Sequence, residues 1–207
     1  MSTSRDAVMA RIRAALGPAP EVPIVPRAYR ALHADGDVVA RFCERAAEYR
    51  ATVRVAESDD VARVLAEACA AHGTRRAVAA PGATWRPPGL ELVVDDPSMS
   101  AAVLDGFDAA LTGCALAIAE TGTIVLDGGA ASGRRMLTLV PDHHVCVVEA
   151  QQVVGGLPEA ITALAPAARR GQPLTFVSGP SATSDIELER VEGVHGPRRL
   201  DIVVIAP

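Results

Sequence analysis

Apolar positions along the chain switch between two spacings. Val8, Ile12, Ala15 and Leu16 recur every three or four residues, which predicts a helix over 4–16, opened by Ser4-Arg5-Asp6 and stopped by Gly17-Pro18. Val38, Phe42 and Ala46 form a second helical stripe within 37–50. A third helix is predicted over 59–72, capped by Ser58 and ended by Gly73. Short apolar runs at 52–55, 77–80 and 90–94 have strand length, the second broken by Pro81-Gly82, and 98–105 predicts a short helix. From Ala109 the rhythm changes. Runs at 109–111, 115–119, 123–126, 136–140 and 145–148 follow one another with only turns between, as antiparallel strands do. A helix over 157–169 and strands at 174–177 and 201–205 complete the pattern.

These elements predict an α/β fold: an open mixed sheet with helices on both faces and an antiparallel insert. Pro18, Pro20, Pro23 and Pro26 make 17–27 an extended connector. The chain therefore divides into residues 1–35, a helix with its proline-rich connector, and residues 36–207, the α/β domain. A short helix with one apolar stripe is not stable alone, so helix 4–16 is expected to dock on its own domain or on another subunit.

Composition narrows the chemistry. All 20 basic residues are Arg, and the chain has neither Lys nor Asn. That excludes Schiff-base and P-loop lysines and an Asn-based oxyanion hole. A net charge of −5 with 3% aromatic residues argues against nucleic-acid binding. No apolar run approaches the roughly 20 residues of a membrane helix, and no signal-peptide core is present, so a cytoplasmic location is expected. Cys43, Cys69, Cys114 and Cys146 form no C-x-x-C pair. They read as buried small hydrophobes, with no iron–sulfur or metal ligation and no cofactor expected on the isolated chain.

Four segments carry candidate chemistry. Glu120 follows an apolar strand and precedes Thr121-Gly122-Thr123. A partly desolvated carboxylate there can act as base, acid or nucleophile, with Gly122 allowing close approach of a ligand; the alternative is a turn glutamate bonding nearby N–H groups. The run Gly128–Arg135 offers an anion-binding nest with Arg134 or Arg135 as counter-charge, or else a plain hairpin loop. Asp142-His143-His144 suggests metal, but neighbouring strand residues point opposite ways, so one histidine is expected to line a cleft. Finally, 178–187 and 193–198 place Gly179, Ser181, Thr183, Asp185, Glu187, His195 and Arg198 in loops after a strand. Ser184 and Glu187 read equally as a capping box and as an anion site. Strand-end loops are where open α/β sheets hold ligands, so the Glu120 and Ser181 loops are expected to share a cleft.

Thr112-Gly113-Cys114 through Ala119-Glu120-Thr121-Gly122-Thr123-Ile124, Leu139-Val140-Pro141-Asp142-His143-His144-Val145, and Ser178–Glu187 with Gly193-Val194-His195-Gly196-Pro197 together resemble the lactate utilization protein C family, the LUD domain. The resemblance covers roughly residues 40 to 206. It implies a fold similar to the sugar-phosphate isomerase/CoA-transferase superfamily. It further implies a part in oxidising L-lactate to pyruvate beside iron–sulfur partner subunits. Lacking their cysteine motifs, this chain is expected to be an accessory subunit that binds a small anionic ligand. In related CoA transferases a Glu-Asn-Gly glutamate carries the acyl group. Glu120-Thr121-Gly122 resembles that position with Thr for Asn, so a free-standing CoA-transferase-like or folate cycloligase-like enzyme stays open, as does a ligand-sensing or assembly module.

Overall fold

In a computed structural model of the chain, residues 3–17, 23–26, 36–183, 191–193 and 195–206 are described. The chain falls into two compact units, Met1–Arg30 and Ala31–Pro207. The first carries α1 (Ser4–Leu16). Thr3 and Asp6 cap it reciprocally: the Thr3 hydroxyl accepts from the Asp6 N–H and the Asp6 carboxylate from the Thr3 N–H.

The second unit opens with α2 (Val38–Glu48), whose first N–H groups, from Val39 and Ala40, donate to the Asp37 carboxylate. Next come β1 (Thr52–Ala56), α3 (Val61–Ala71), β2 (Arg76–Ala79), β3 (Glu91–Val94) and the one-turn α4 (Ala101–Leu104). Then follow β4 (Ala109–Gly113), β5 (Leu116–Ile118), β6 (Thr123–Leu126), β7 (His143–Glu149), β8 (Val153–Val154), α5 (Leu157–Arg169), β9 (Thr175–Val177), β10 (Ala182–Thr183), β11 (Val191–Glu192) and β12 (Arg199–Ile205).

Six strands form a wholly parallel sheet in the order β1-β12-β7-β4-β2-β3. A second, mixed sheet has the order β8-β5-β6-β9, and β10 and β11 pair as a small antiparallel ribbon. Strand alternation divides the core. Val145, Val147 and Val203 pack with Val61, Val64 and Leu65 of α3. Cys146, Val148, Ile202 and Val204 pack with Phe42 and Ala46 of α2 and with Ala117 and Ile124 of the second sheet. The other face of that second sheet buries Ile118 and Val125 against Ala160 and Leu164 of α5.

The α/β architecture with an antiparallel insert is as expected, but two local expectations change. The run after Ala109 is not one antiparallel series. β4 and β7 are adjacent parallel strands, and within this run only β5 and β6 pair antiparallel, with β9 added later on the far side of β6. Parallel neighbours need a long crossover, and here the segment containing β5 and β6 supplies it in place of a helix. The stretch 136–140 is not a strand, because Arg135–Thr138 winds into a 3₁₀ turn in which the Arg135 guanidinium donates to the Thr138 carbonyl and hydroxyl. Ser58 does not cap α3 but starts the 3₁₀ turn Ser58–Asp60 ahead of it.

Candidate functional site

Both β5 and β9 run antiparallel to β6, so both end on one edge of the second sheet. That edge meets the first residues of β7 and β12, and a cavity of about 240 Å³ lies between them. Its polar wall is Arg135, Thr138, His144, Ser178, Ser181 and His195; Phe176, Pro180 and Leu200 contribute apolar surface. The C-terminal loops are stitched into one wall. The Ser181 N–H donates to the Pro197 carbonyl, the Gly193 N–H to the Ser181 carbonyl and the His195 N–H to Ser181 Oγ.

The charges in the cavity follow from burial. His144 is almost fully buried, with Thr112 Oγ1 2.8 Å from its Nε2. Desolvation, helped by electrostatic contributions from the neighbouring His143 and Arg135, holds its pKa down at about 3, so the imidazole is neutral. Arg135 has an exposed flank, yet its guanidinium is partly desolvated and its pKa lies below the ordinary value, though it stays charged. One amino group holds Thr138; no other partner of Arg135 is found among the described residues. Among the described residues, the site is a small concavity with Arg135 as its fixed cation, hydroxyls and a neutral imidazole.

Of the residues singled out in the sequence, Gly179, Ser181 and His195 line this cavity. Thr121 and Thr123 reach its rim through hydroxyls: Thr121 Oγ1 to Thr123 Oγ1 is 2.7 Å and Thr123 Oγ1 to Ser178 Oγ is 2.7 Å. Glu120 stands exposed on the same sheet edge, its N–H donating to the Gly155 carbonyl, but it is not among the lining residues. The shared cleft is therefore a shared edge, linked by hydroxyls. Thr183 lies on β10, whereas Asp185 and Glu187 lie outside the described residues. Arg198 pairs with Asp142 at 3.2 Å on the surface.

Three expectations are corrected. Gly122 does not leave room for a ligand: it has φ +59°, and a Cβ there would lie 2.3 Å from the Ala46 nitrogen of α2. Gly179, at φ +87°, likewise presses on the Tyr49 carbonyl, where a Cβ would come within 2.2 Å. Gly122 and Gly179 thus both admit α2 and its C-cap residue Tyr49. Arg134 is not a free counter-charge, because it forks onto Asp95 with two 2.8 Å bonds and also donates to the Met99 carbonyl. The glycine run is not an open nest either. The Gly129 N–H goes to Asp127 and the Gly133 N–H to the Gly129 carbonyl, while the carbonyls of Ala130 and Ala131 receive the N–H groups of Gly82 and Gly113.

The histidine pair splits as strand alternation requires, but it is His144, not His143, that faces the cavity. His143 is turned to the α3 side, with Thr74 Oγ1 3.1 Å from its Nδ1 and Asp201 Oδ2 2.9 Å from its Nε2. His72 Nε2 lies 3.0 Å from the same Asp201 oxygen, and Arg54 bonds the other one. Burial alone would raise the pKa of Asp201; the His143 and Arg54 bonds outweigh it and hold the carboxyl below its usual range. The sequence pointed to neither His72 nor Asp201. Arg135 was visible only as half of an arginine doublet.

Residues 100–205 match the LUD domain. Over 93% of its length the chain is 44% identical to lactate utilization protein C of Deinococcus radiodurans, covering 91% of that protein. Lactate utilization protein C 1 of Bacillus mycoides is 33% identical over 47% of this chain and 43% of its own length. Among solved structures, a DUF162 family protein from Deinococcus radiodurans superposes with a TM-score of 0.68 at 40% identity, over 82% of this chain and 96% of that one.

Proposed function

The chain belongs to the LUD-domain family of lactate utilization protein C, and on that premise we propose that it is an accessory subunit of an L-lactate-oxidising iron–sulfur system whose cavity at Arg135 binds a small anionic ligand. A role in lactate utilization is supported by the names its relatives carry. The finer reading rests above all on the cavity. A volume of about 240 Å³ suits a molecule of a few heavy atoms. A guanidinium beside serine and threonine hydroxyls suits a small carboxylate, and the neutral His144 adds no competing charge.

The redox centres are assigned to partner subunits because the thiols of this chain are poorly disposed to hold a cluster. Among the described residues no three cysteines come together. Burial pushes the Cys69 thiol up to about 11, and Cys114, hydrogen-bonded to Cys146 and fully buried, is raised as well. The part left to this chain is to bind and orient a carboxylate, with Arg135 as anchor and Ser178, Ser181 and Thr138 as hydroxyl partners.

Calorimetric titration of the purified chain with L-lactate and with pyruvate tests the reading. Binding of one of them is expected. Arg135→Ala should weaken it roughly tenfold or more, the value of a charge-assisted hydrogen bond, and should abolish growth on lactate in a deletion strain with normal protein levels. Unchanged affinity and growth in Arg135→Ala would remove the cavity from the proposal. Turnover by the purified chain alone, lost in Glu120→Gln, would replace the accessory reading with a transferase-like enzyme.

A further inference from the structure

The constellation around Asp201 lies on the other face of the parallel sheet and takes no part in the cavity. Its parts come from three elements. His72 terminates α3 in a Schellman turn: the Gly73 N–H donates to the Ala70 carbonyl and the Thr74 N–H to the Cys69 carbonyl, with Gly73 at φ +69°. This turn brings His72 and Thr74 over the start of β7, whose first residue is His143. Asp201, on the neighbouring β12, is fully buried.

We infer that His72, His143 and Asp201 form a binding site for a zinc-type divalent transition-metal ion. The three ligand atoms, both Nε2 atoms and a carboxylate oxygen of Asp201, lie within 4.8 Å of one another. Oδ2 is 2.9 Å from one imidazole nitrogen and 3.0 Å from the other. Metal–ligand bonds of about 2.0–2.2 Å in tetrahedral array place neighbouring donors roughly 3.4 Å apart, so the two oxygen–nitrogen separations widen by a few tenths of an ångström and the nitrogen–nitrogen separation, at most 4.8 Å, closes towards the same value.

The supporting groups suit the same purpose. A neutral imidazole has one proton; when Nε2 takes the metal, the proton sits on Nδ1, and at His143 that nitrogen faces Thr74 Oγ1 at 3.1 Å, which can accept it. Arg54 occupies the far oxygen of Asp201 and leaves Oδ2 for the ion. The His72 side chain is a quarter exposed, while those of His143 and Asp201 are sealed. Entry, and the position left for water, are therefore on the His72 side. Two imidazoles and one carboxylate favour zinc-like ions over Mg²⁺ or Ca²⁺, which prefer all-oxygen shells. The expectation of no metal came from cysteine spacing and from the adjacent His143-His144 pair. The three ligands here are far apart in sequence and have no spacing motif.

The test uses the full chain, stripped with a chelator and titrated with Co²⁺ as a coloured probe. One equivalent should bind with visible d–d absorption of a four- or five-coordinate site, be displaced by Zn²⁺ and not by Mg²⁺, and raise the melting temperature. His72→Ala is partly exposed and should fold; it should weaken binding by more than the roughly 10–100-fold that loss of a supporting partner costs. His72→Gln, which keeps a donor for Asp201, should fold and lose the metal as well. Absence of binding to the wild-type chain, or affinity within threefold of wild type in either variant, overturns the inference.

Discussion

His143 faces α3, where its imidazole meets Thr74 and the Asp201 carboxylate. His144, next in the chain, faces the second sheet, where Thr112 is its partner and the cavity its neighbour. The two residues are chemically identical and almost equally buried. What separates them is the carboxylate. Asp201 and His143 fall on one side of the sheet by the alternation of β7 and β12, and no acid of those strands faces His144. One side therefore concentrates charge in hydrogen-bonded pairs. The other keeps a histidine neutral beside an arginine. Local residue type did not assign these roles; the partner across the sheet did.

The largest expected effect is at Asp201. Asp201→Ala leaves Arg54 and two imidazoles without their shared acceptor and should cost about 3–5 kcal/mol in urea unfolding. A loss below about 1 kcal/mol would mean that the carboxylate is not what organises the α3 side. Next come the glycines under α2. Gly122→Ala and Gly179→Ala should each cost about 2–4 kcal/mol, since the Cβ collides with backbone and φ is positive. Gly171→Ala, with φ +74° but open space around it, isolates the backbone cost and should lose only about 1 kcal/mol. Equal losses at all three positions would show that close approach of α2 adds nothing.

A pH series separates the two histidine environments further. The unfolded chain takes up a proton at His144 near pH 6.5, whereas the folded chain refuses it until about pH 3. The His144 contribution is thus complete above pH 6.5 and is lost as the pH falls towards 3. In chelator-containing buffer, His144→Gln should flatten this part of the curve of stability against pH; an unaltered slope would count against a neutral buried imidazole. The smallest contrast is the arginine doublet. Arg134→Ala strands the buried Asp95 and should cost about 1–2 kcal/mol without touching the cavity. Arg135→Ala should stay within about 0.5 kcal/mol in stability and act on ligand binding instead. The reverse pattern would exchange their roles.

The elements themselves were largely legible. The stripe at Val38, Phe42 and Ala46, the helix over Leu157–Arg169 and the strand runs at 52–55, 123–126 and 174–177 are local periodicities, and each became the expected element within a residue or two. Misreadings arose where a long-range contact decided. The 136–140 run is as apolar as a strand, but Arg135 closes it into a turn. Gly122 was expected to let a ligand approach closely, but the approaching body is α2, a helix whose place the sequence does not display.

The sequence by itself determined the α/β class, the exclusion of lysine chemistry and the family through its loop motifs, and it singled out the loops at 178–187 and 193–198 as candidates for a site. These depend on composition, on periods of two or about three and a half residues, and on contiguous motifs. Only the tertiary structure decided that Arg135 and not Arg134 enters the cavity. It also decided that His144 and not His143 faces it, and that His72 and Asp201 converge on His143. A strand's alternation is fixed relative to itself, whereas which face is inside, and what lies opposite, is set by the strands and helices packed against it.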